Sequence, residues 1–479
     1  MSKYLLLLLA ALVITGNAMA QDSTLVSNAA DTAAVRSITL PRAIDIALKN
    51  NYQIKKAENN LELSDMNHKS AMADFLPSIS GSMNANRRIG KQFNNVTVTY
   101  ASQTTNNVSG SVSAGITIFS GLNNIYNLRR SDQSQLSQKE QLRQQRQDII
   151  FNTASSYLQV LLDQQLREID QENLKSSQSQ LDQVKAEVQV GSRPIADQYN
   201  QEATVAQNQL TVIQQQNKLD IDKLALVRQL QLDPLNNYSF VRPQLDTTAI
   251  KEGVPSLPTM ISTALENRSD ILSQRHAIDA SYYSMKMAES RRYPTLSFNA
   301  GLSGDYSDTY RHLGPDPNNP QQIIATKVGF FDQMFKENVN KFLGFNLSIP
   351  IFSNLSTSYN IQSAKVNYDN MKLDMENMRL NVIQEIRQAY NDYKNYAEQL
   401  KSTKVALISA QKAYETQKER YQVGAGTLVE LSQANAQYVQ AQANGQQALY
   451  RFIFQEQLIQ YYMGQISANM QIKALNFNN

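Results

Sequence analysis

The chain repeats itself. Ala47-Leu48-Lys49-Asn50 recurs as Ala264-Leu265-Glu266-Asn267, and Phe75-Leu76-Pro77-Ser78 as Arg292-Tyr293-Pro294-Thr295, both displaced by 217 positions. Further on, Ile118-Phe119-Ser120-Gly121 recurs as Ile351-Phe352-Ser353-Asn354, Tyr157 as Tyr390, Val190-Gly191-Ser192 as Val423-Gly424-Ala425, and Asp197 as Glu430, all displaced by 233. No single match is specific, but several matches at two constant offsets are. The step between the offsets is an insertion of 16 residues in the second copy, between Pro294 and Ile351. Any fold for this chain has to be made of two similar units of about 200 residues each.

The units read as residues 38-232 and 258-466, each passing through the same regimes: a helix, a β-hairpin, a long helix and a return helix. Leading helices are predicted over 41-75 and 258-292, opened by Pro41 and Pro258, which suit a first helical position. After Pro77 and Pro294 the period becomes two. Ile79, Gly81, Met83 and Ala85 alternate with serine and asparagine, as do Val108, Val112, Ile116 and Ile118; Leu296, Phe298, Ala300 and Leu302 repeat the pattern, then Leu343, Phe345, Leu347 and Ile349. Four strands of about 10-12 residues follow, as hairpins over 76-119 and 294-352, with the loops 89-107 and 307-341 at their far ends.

From Gly121 to Gly191, and again from Asn354 to Gly424, there is no proline. A helix of about 70 residues spans about 105 Å. Its apolar residues form narrow stripes, such as Leu158, Leu162, Leu166 and Ile169, as in coiled-coil packing. Return helices are expected over 195-232 and 427-466, with Ala203, Ala206, Leu210 and Ile213 on one face of the first. One leading helix and one return helix together equal one long helix, so two short helices can run end to end beside each long one. Residues 233-257, with Pro234, Pro243 and Pro255, read as a linker at the level where the short helices meet, and 467-479 as a C-terminal tail.

Lys and Arg number 45 against 42 Asp and Glu, with no long basic run, which argues against a nucleic-acid partner. Cysteine is absent, and His68, His276 and His312 lie far apart, so neither a metal site nor a nucleophilic triad is expected. There is no glycine-rich phosphate loop behind a strand and no HExxH. No catalytic residue, metal or cofactor is expected, and the chain does not read as an enzyme. Only 18% of residues are charged, while roughly a fifth are Asn or Gln, a composition suited to long packed helices and a water-filled wall.

Met1-Ser2-Lys3, the apolar run Tyr4 to Thr15 and the small-residue pattern Ala18-Met19-Ala20 read as a secretory signal peptide over 1-20, followed by a polar segment, 21-37. Strands of about 11 residues, apolar on one face and polar on the other, rise roughly 26 Å at a tilt near 45°, the height of an outer-membrane apolar band. Helices this long leave no second sheet to cover the apolar face. Four strands cannot close a barrel, and open edges are not tolerated in lipid. Three chains supplying twelve strands solve both problems, whereas eight strands from two chains are too narrow to conduct. Phe75, Phe119, Tyr293 and Phe352 stand at the strand-helix junctions, where an aromatic girdle belongs.

With its duplicated helix, hairpin, long helix and return helix, the chain resembles the TolC-like outer-membrane efflux proteins over about residues 38-466. The local sequences Phe75-Leu76-Pro77, Ile118-Phe119-Ser120-Gly121 and Arg420-Tyr421-Gln422-Val423-Gly424 running into Gly426-Thr427-Leu428-Val429-Glu430 carry the resemblance. It implies an α+β protein: a homotrimeric 12-stranded outer-membrane β-barrel, four strands per chain, continued by a long antiparallel helical barrel through the periplasm. It also implies docking onto a periplasmic adaptor joined to an inner-membrane transporter, for efflux or type I secretion.

The turns at the helix ends far from the strands are Val190-Gly191-Ser192-Arg193-Pro194-Ile195-Ala196-Asp197 and Val423-Gly424-Ala425-Gly426-Thr427-Leu428-Val429-Glu430. Gly191 and Gly424 read as left-handed C-caps, Pro194 and Thr427 as helix starts, and Asp197 and Glu430 as first-turn acids that complement the helix dipole. In a trimer Gly191, Ser192, Arg193, Gly424, Ala425, Gly426 and Thr427 would form the rim that meets the adaptor. By resemblance Tyr421 and Asp197 tether neighbouring hairpins and Glu430 lines the periplasmic constriction. Gly426 stands where an arginine often adds a tether, and Gln433 where the family has a second acid. Two rival readings are a periplasmic coiled-coil adaptor, which should show a lipoyl-like β region and a single hairpin, and a structural filament protein, which should lack period-two strands.

Overall fold

The computed structural model describes residues 36-94, 98-242, 244-245, 253-317, 319-467 and 475-476. The expected signal peptide, most of the polar segment 21-37, parts of the linker and most of the tail lie outside them.

Two helices of 67 residues, Asn123–Gln189 and Ser356–Gln422, form the long axis. They are followed by return helices of equal length, Ile195–Gln229 and Leu428–Tyr462, 35 residues each. The leading helices are not continuous. Each is split in two, Leu40–Asn50 with Tyr52–Ala73 and Leu257–Asn267 with Ser269–Ser290. The hinge residues Asn51 and Arg268 have extended backbones, with ψ of 125° and 129°. Asn51 restarts its helix by accepting the Gln53 backbone N–H at 2.8 Å. Arg268 instead forks onto Asp270 at 2.7 and 3.1 Å and reaches Glu385 on the second long helix at 2.7 Å. At the first hinge a polar side chain satisfies the broken ladder, and at the second Asp270, held by Arg268, accepts the Ile271 backbone N–H at 2.8 Å, so each kinks where apolar spacing alone reads as one helix.

The chain's ends are gathered at this level. Strand β1, Arg36–Ile38, pairs in parallel with β4, Tyr238–Phe240, from the linker, and β5, Gln244–Leu245, pairs with β10, Leu475–Asn476. The fully buried Tyr157 of the first long helix donates its hydroxyl hydrogen to the carbonyls of Ile38 and Val241, at 2.9 and 2.7 Å, pinning β1 and the residue after β4 to that helix. The largest apolar core lies around it, with Leu40, Ile44, Leu161, Leu226 and Leu230.

Four strands, β2 (Ser78–Asn94), β3 (Thr99–Ser120), β6 (Thr295–Ser307) and β9 (Val339–Ser348), make one antiparallel sheet in the order β2-β3-β6-β9. The two hairpins therefore lie side by side, joined along β3 and β6 from Asn107 opposite Ser307 to Ser120 opposite Thr295. The first hairpin runs well past the expected length, with strands of 17 and 22 residues. Most of 89-107 is ladder, not loop: Ile89 faces Thr104 and Phe93 faces Tyr100. Nor is 307-341 a plain loop. It holds a separate hairpin, β7 (Arg311–Asp316) with β8 (Asn319–Lys327), then a helical turn, Phe330–Asp332, running into a π-helical turn, Gln333–Glu337.

The register sorts the sheet into two faces. One carries rows such as Gly81, Val112 and Leu302, or Ile116, Phe298 and Phe345; the other carries Ser80 with Ser113 and Ser82 with Ser111, whose hydroxyls meet at 3.0 and 2.9 Å. Each strand continues into a helix, and near the sheet the helices pack in the same sequence as the strands: Tyr52–Ala73, the first long helix, Ser269–Ser290, the second long helix. Toward the far end the sequence is first return helix, first long helix, second return helix, second long helix. Leu210 and Ile213, on the small-residue face of the first return helix, are exposed in the single chain. Among the described residues no helix is long and apolar enough to cross a membrane.

Candidate functional site

Both long helices end in the same way. Ser192 N–H donates to the Glu187 carbonyl and Gly191 N–H to that of Val188; Ala425 donates to Arg420 and Gly424 to Tyr421. These are paired Schellman closures. Gly191 and Gly424 have φ of +76° and +75°, and a Cβ on either would meet nothing, so backbone handedness alone calls for glycine. Pro194 and Thr427 then hold the N-cap positions of the return helices.

The two turns are finished differently. In the second, Thr427 Oγ1 accepts the Glu430 backbone N–H at 3.2 Å, and the Glu430 carboxylate accepts the Thr427 N–H at 3.0 Å, a reciprocal capping box. Bonding to the Thr427 backbone holds the Glu430 carboxyl below its ordinary pKa. Arg420 lies across the same turn, donating to the Ala425 carbonyl at 3.2 Å, and its charge lowers the Glu430 pKa further. Gln433 is exposed one turn along from Glu430. In the first turn the corresponding acid, Asp197, has no such box. It stands 3.8 Å from Arg193, whose Nε donates to Glu187 at 2.8 Å.

Arg193 brings the two turns together. Its guanidinium lies 4.3 Å from the centroid of the Tyr421 ring. Tyr421 is buried in a small apolar cluster with Val184, Leu428 and Leu431, which draws on the first long helix, the second long helix and the second return helix. Burial pushes the Tyr421 phenol above its ordinary pKa, and the Arg193 charge opposes this. Tyr421 and Asp197, both expected to tether neighbouring hairpins, are both contacted by Arg193 within the chain. Reading the sequence did not single out Glu187, and it named Arg420 only as part of the motif that carries the resemblance, without a role. The usable signal was their shared place three residues before the C-cap of each long helix.

The remaining site candidates lie elsewhere. Phe75, Phe119, Tyr293 and Phe352 are all exposed at the strand-helix junctions. Among the described residues no group of three or more His, Asp or Glu is arranged to hold a metal ion.

Two repeats, each giving two strands to the sheet, a long helix and a capped turn, are matched by a family model described as "Outer membrane efflux protein", over residues 43–230 and 260–465. The chain belongs to the outer membrane efflux protein family. As a member it is an outer-membrane protein, and the two matched stretches fall on the two repeats with the linker between them. The chain is 25% identical to outer membrane protein TolC of Salmonella enteritidis over 69% of its own length, a match that spans 63% of that relative. To outer membrane efflux protein BepC of Brucella suis biovar 1 it is 22% identical, over 85% of this chain and 81% of that one. Its fold superposes on the Campylobacter jejuni CmeC outer membrane channel with a TM-score of 0.75 at 19% identity, covering 90% of this chain and 87% of the other.

Proposed function

We propose that three copies of this chain form a channel-tunnel, which carries substrates from an inner-membrane transporter and its periplasmic adaptor across the outer membrane. One observation carries the reading. The sheet ends in β2 and β9, each with an edge that no strand among the described residues pairs, and every strand continues into a helix packed in the same order. Unpaired backbone in lipid costs several kcal/mol per group, so the sheet needs partners. Pairing β9 of one copy with β2 of the next around a threefold axis gives twelve strands, and the helices below follow into a twelve-membered wall. The serine-lined face then borders water, the apolar face borders lipid, and Phe75, Phe119, Tyr293 and Phe352 mark the periplasmic boundary.

The capped turns end the tunnel. Gly191, Ser192, Arg193 and Gly424 to Thr427 form the rim offered to an adaptor, Arg193, Asp197 and Tyr421 hold the turns together, and Glu430 with Gln433 face the constriction. An adaptor or a filament protein is disfavoured by the four-stranded sheet. The decisive experiment joins assembly to conduction. Purified protein in detergent should run as a crosslinkable trimer and conduct in planar bilayers. A reactive group at Ser192 or Ala425 should crosslink in cells to a periplasmic partner. Monomer without conductance would refute the channel, and capture from the β7–β8 hairpin in place of the tips would refute the docking end.

A further inference from the structure

We propose that the segment Gly329–Asn338, which connects β8 to β9, is a membrane-interface anchor: it folds back onto the apolar face of the sheet and sets Phe331 and Phe335 into the outer leaflet, at the boundary between acyl chains and headgroups. This rests on the reading of the apolar face as the lipid-facing one. Three observations carry it.

The first is the seat. Gly304 of β6 lies against the backbone of Met334, so any side chain there would displace the segment, and a Cβ on Gly110, its partner in β3, would stand 3.3 Å from the Met334 thioether methyl. Both glycines belong to the apolar face. Met334 is buried, while the Gln333 amide accepts the Ser307 N–H at 2.9 Å and donates to its carbonyl at 3.1 Å. Asn338 donates to the Asp305 carbonyl at 2.9 Å. The last residue of β6 paired with β9 is Gly304, so these two side chains serve the backbone beyond the ladder's end. The segment is fixed to the sheet, not draped over it.

The second is its polarity. Phe331 and Phe335, four residues apart, have parallel rings with centroids 6.3 Å apart and are 54% and 65% exposed. Phe330 joins them to the sheet, its ring 5.0 Å from that of Tyr306 on the apolar face and 5.3 Å, edge-on, from that of Phe331. Asp332 and Lys336, also four apart, pair at 2.6 Å. One turn thus offers aromatic rings on one side and a neutralised ion pair on the next, the division found at a headgroup boundary.

The third is height. From Leu296, beside the periplasmic aromatics, to Tyr306 is ten residues along β6, roughly 34 Å of strand and about 26 Å vertically at a tilt near 40°. Outer-membrane apolar bands are about 25 Å tall and are closed at both ends by aromatic girdles. The aromatic cluster stands where the second girdle is required.

The chain has no tryptophan, so each introduced one reports alone. Phe331→Trp is compared with Leu343→Trp, which lies opposite Ala300 near the middle of the apolar face and is 77% exposed, and with Leu235→Trp, 91% exposed in the linker. The variants are reconstituted as full-length protein into liposomes containing lipids brominated either near the carbonyl end or near the middle of the acyl chain. Phe331→Trp should emit to the blue of Leu235→Trp and be quenched more by the shallow bromines than by the deep ones. Leu343→Trp should show the reverse preference. Emission and acrylamide quenching at 331 equal to those at 235, with 343 still quenched by lipid, would overturn the anchor and spare the barrel. Blue emission at 331 without bromine quenching would also overturn it, placing the segment against protein. Loss of lipid quenching at 343 would instead remove the barrel reading.

Discussion

The guanidinium of Arg193 lies 4.3 Å from the ring centroid of Tyr421, so a residue of the first repeat's turn caps an aromatic ring of the second repeat. A cation over a ring in a partly buried setting contributes roughly 1–2 kcal/mol, which corresponds to about a 5–30-fold shift in an equilibrium between joined and separated turns. Arg193→Ala should raise the conducting fraction in planar bilayers by that order. Tyr421→Phe keeps the ring, and the hydroxyl makes no hydrogen bond of good geometry, so it should conduct like the parent. Equal opening by both variants would mean that the hydroxyl, not the ring, holds the turns.

Glu430 has two possible duties that a single substitution separates. Gln also completes a capping box, so Glu430→Gln should leave the trimer intact, with only the small loss of thermal stability that removing a first-turn charge brings. If three copies of Glu430 converge on the channel axis, the same change should lower cation preference and weaken block by divalent cations on the periplasmic side. Unchanged selectivity with an intact trimer would confine Glu430 to its helix start.

The pH dependence at this residue follows from its lowered pKa. A carboxylate whose folded pKa lies below its unfolded value stabilises the fold above the unfolded pKa, and that contribution is lost as pH falls through the folded one. The capping box therefore keeps the carboxylate charged to lower pH, while repulsion among three convergent copies acts in the opposite sense. A titration of reversal potential against pH with its midpoint below the ordinary glutamate range would show the cap prevailing, and a midpoint above that range would show the three carboxylates repelling one another.

In the sheet, Val112 sits between Gly81 and Leu302 on the apolar face, while its neighbour Ser111 meets the Ser82 hydroxyl on the polar one. Arg at a lipid-facing midplane position costs about 2–4 kcal/mol and a lumen position much less. Val112→Arg should reduce assembled trimer in outer-membrane fractions far more than Ser111→Arg. Equal losses, or the reverse order, would remove the assignment of faces.

Gly301 makes room for an aromatic ring on the polar face: a Cβ there would come within 2.5 Å of the Phe342 ring, its cross-strand partner. Gly301→Ala should lower the trimer's melting stability by about 1–3 kcal/mol through overpacking. Pairing it with Phe342→Ala should recover part of that loss, a non-additivity expected only for residues in contact. Strict additivity in thermal melts would place the two side chains apart.

Much of this was legible in the sequence because the repeat doubles every signal. Gly191 and Gly424 stop the long helices, and Thr427 opens the last one, through local chemistry that needs no tertiary context. The hinges at Asn51 and Arg268 were not legible, because apolar spacing continues through them and the break is stabilised by side chains, one of which reaches Glu385 far along the chain. The upper half of the first hairpin was missed for a related reason. Arg87 to Asn94 carries little apolar alternation, and its pairing is set by the ladder below it. Nothing in the sequence marks Gly110 and Gly304 as a seat, because Met334, which rests on both, reaches them from a segment beyond the β7–β8 hairpin. At the tip, Tyr421 and Asp197 were named as tethers and Arg193 only for the rim; its place between the two came from the fold.

The equality of the two halves, 67 residues in each long helix and 35 in each return helix, restricts how such a chain can change length. Removing seven residues from one long helix would withdraw its turn by about 10 Å, leaving one hairpin of each pair short and Arg193 out of reach of Tyr421. A viable deletion must be matched in the descending and ascending arms of both repeats, four events at once. Insertions in the strand-end segments face no such condition, and the 16 residues by which the repeats differ lie there. Over evolutionary time this architecture should hold its periplasmic reach nearly constant while its outer end diversifies freely.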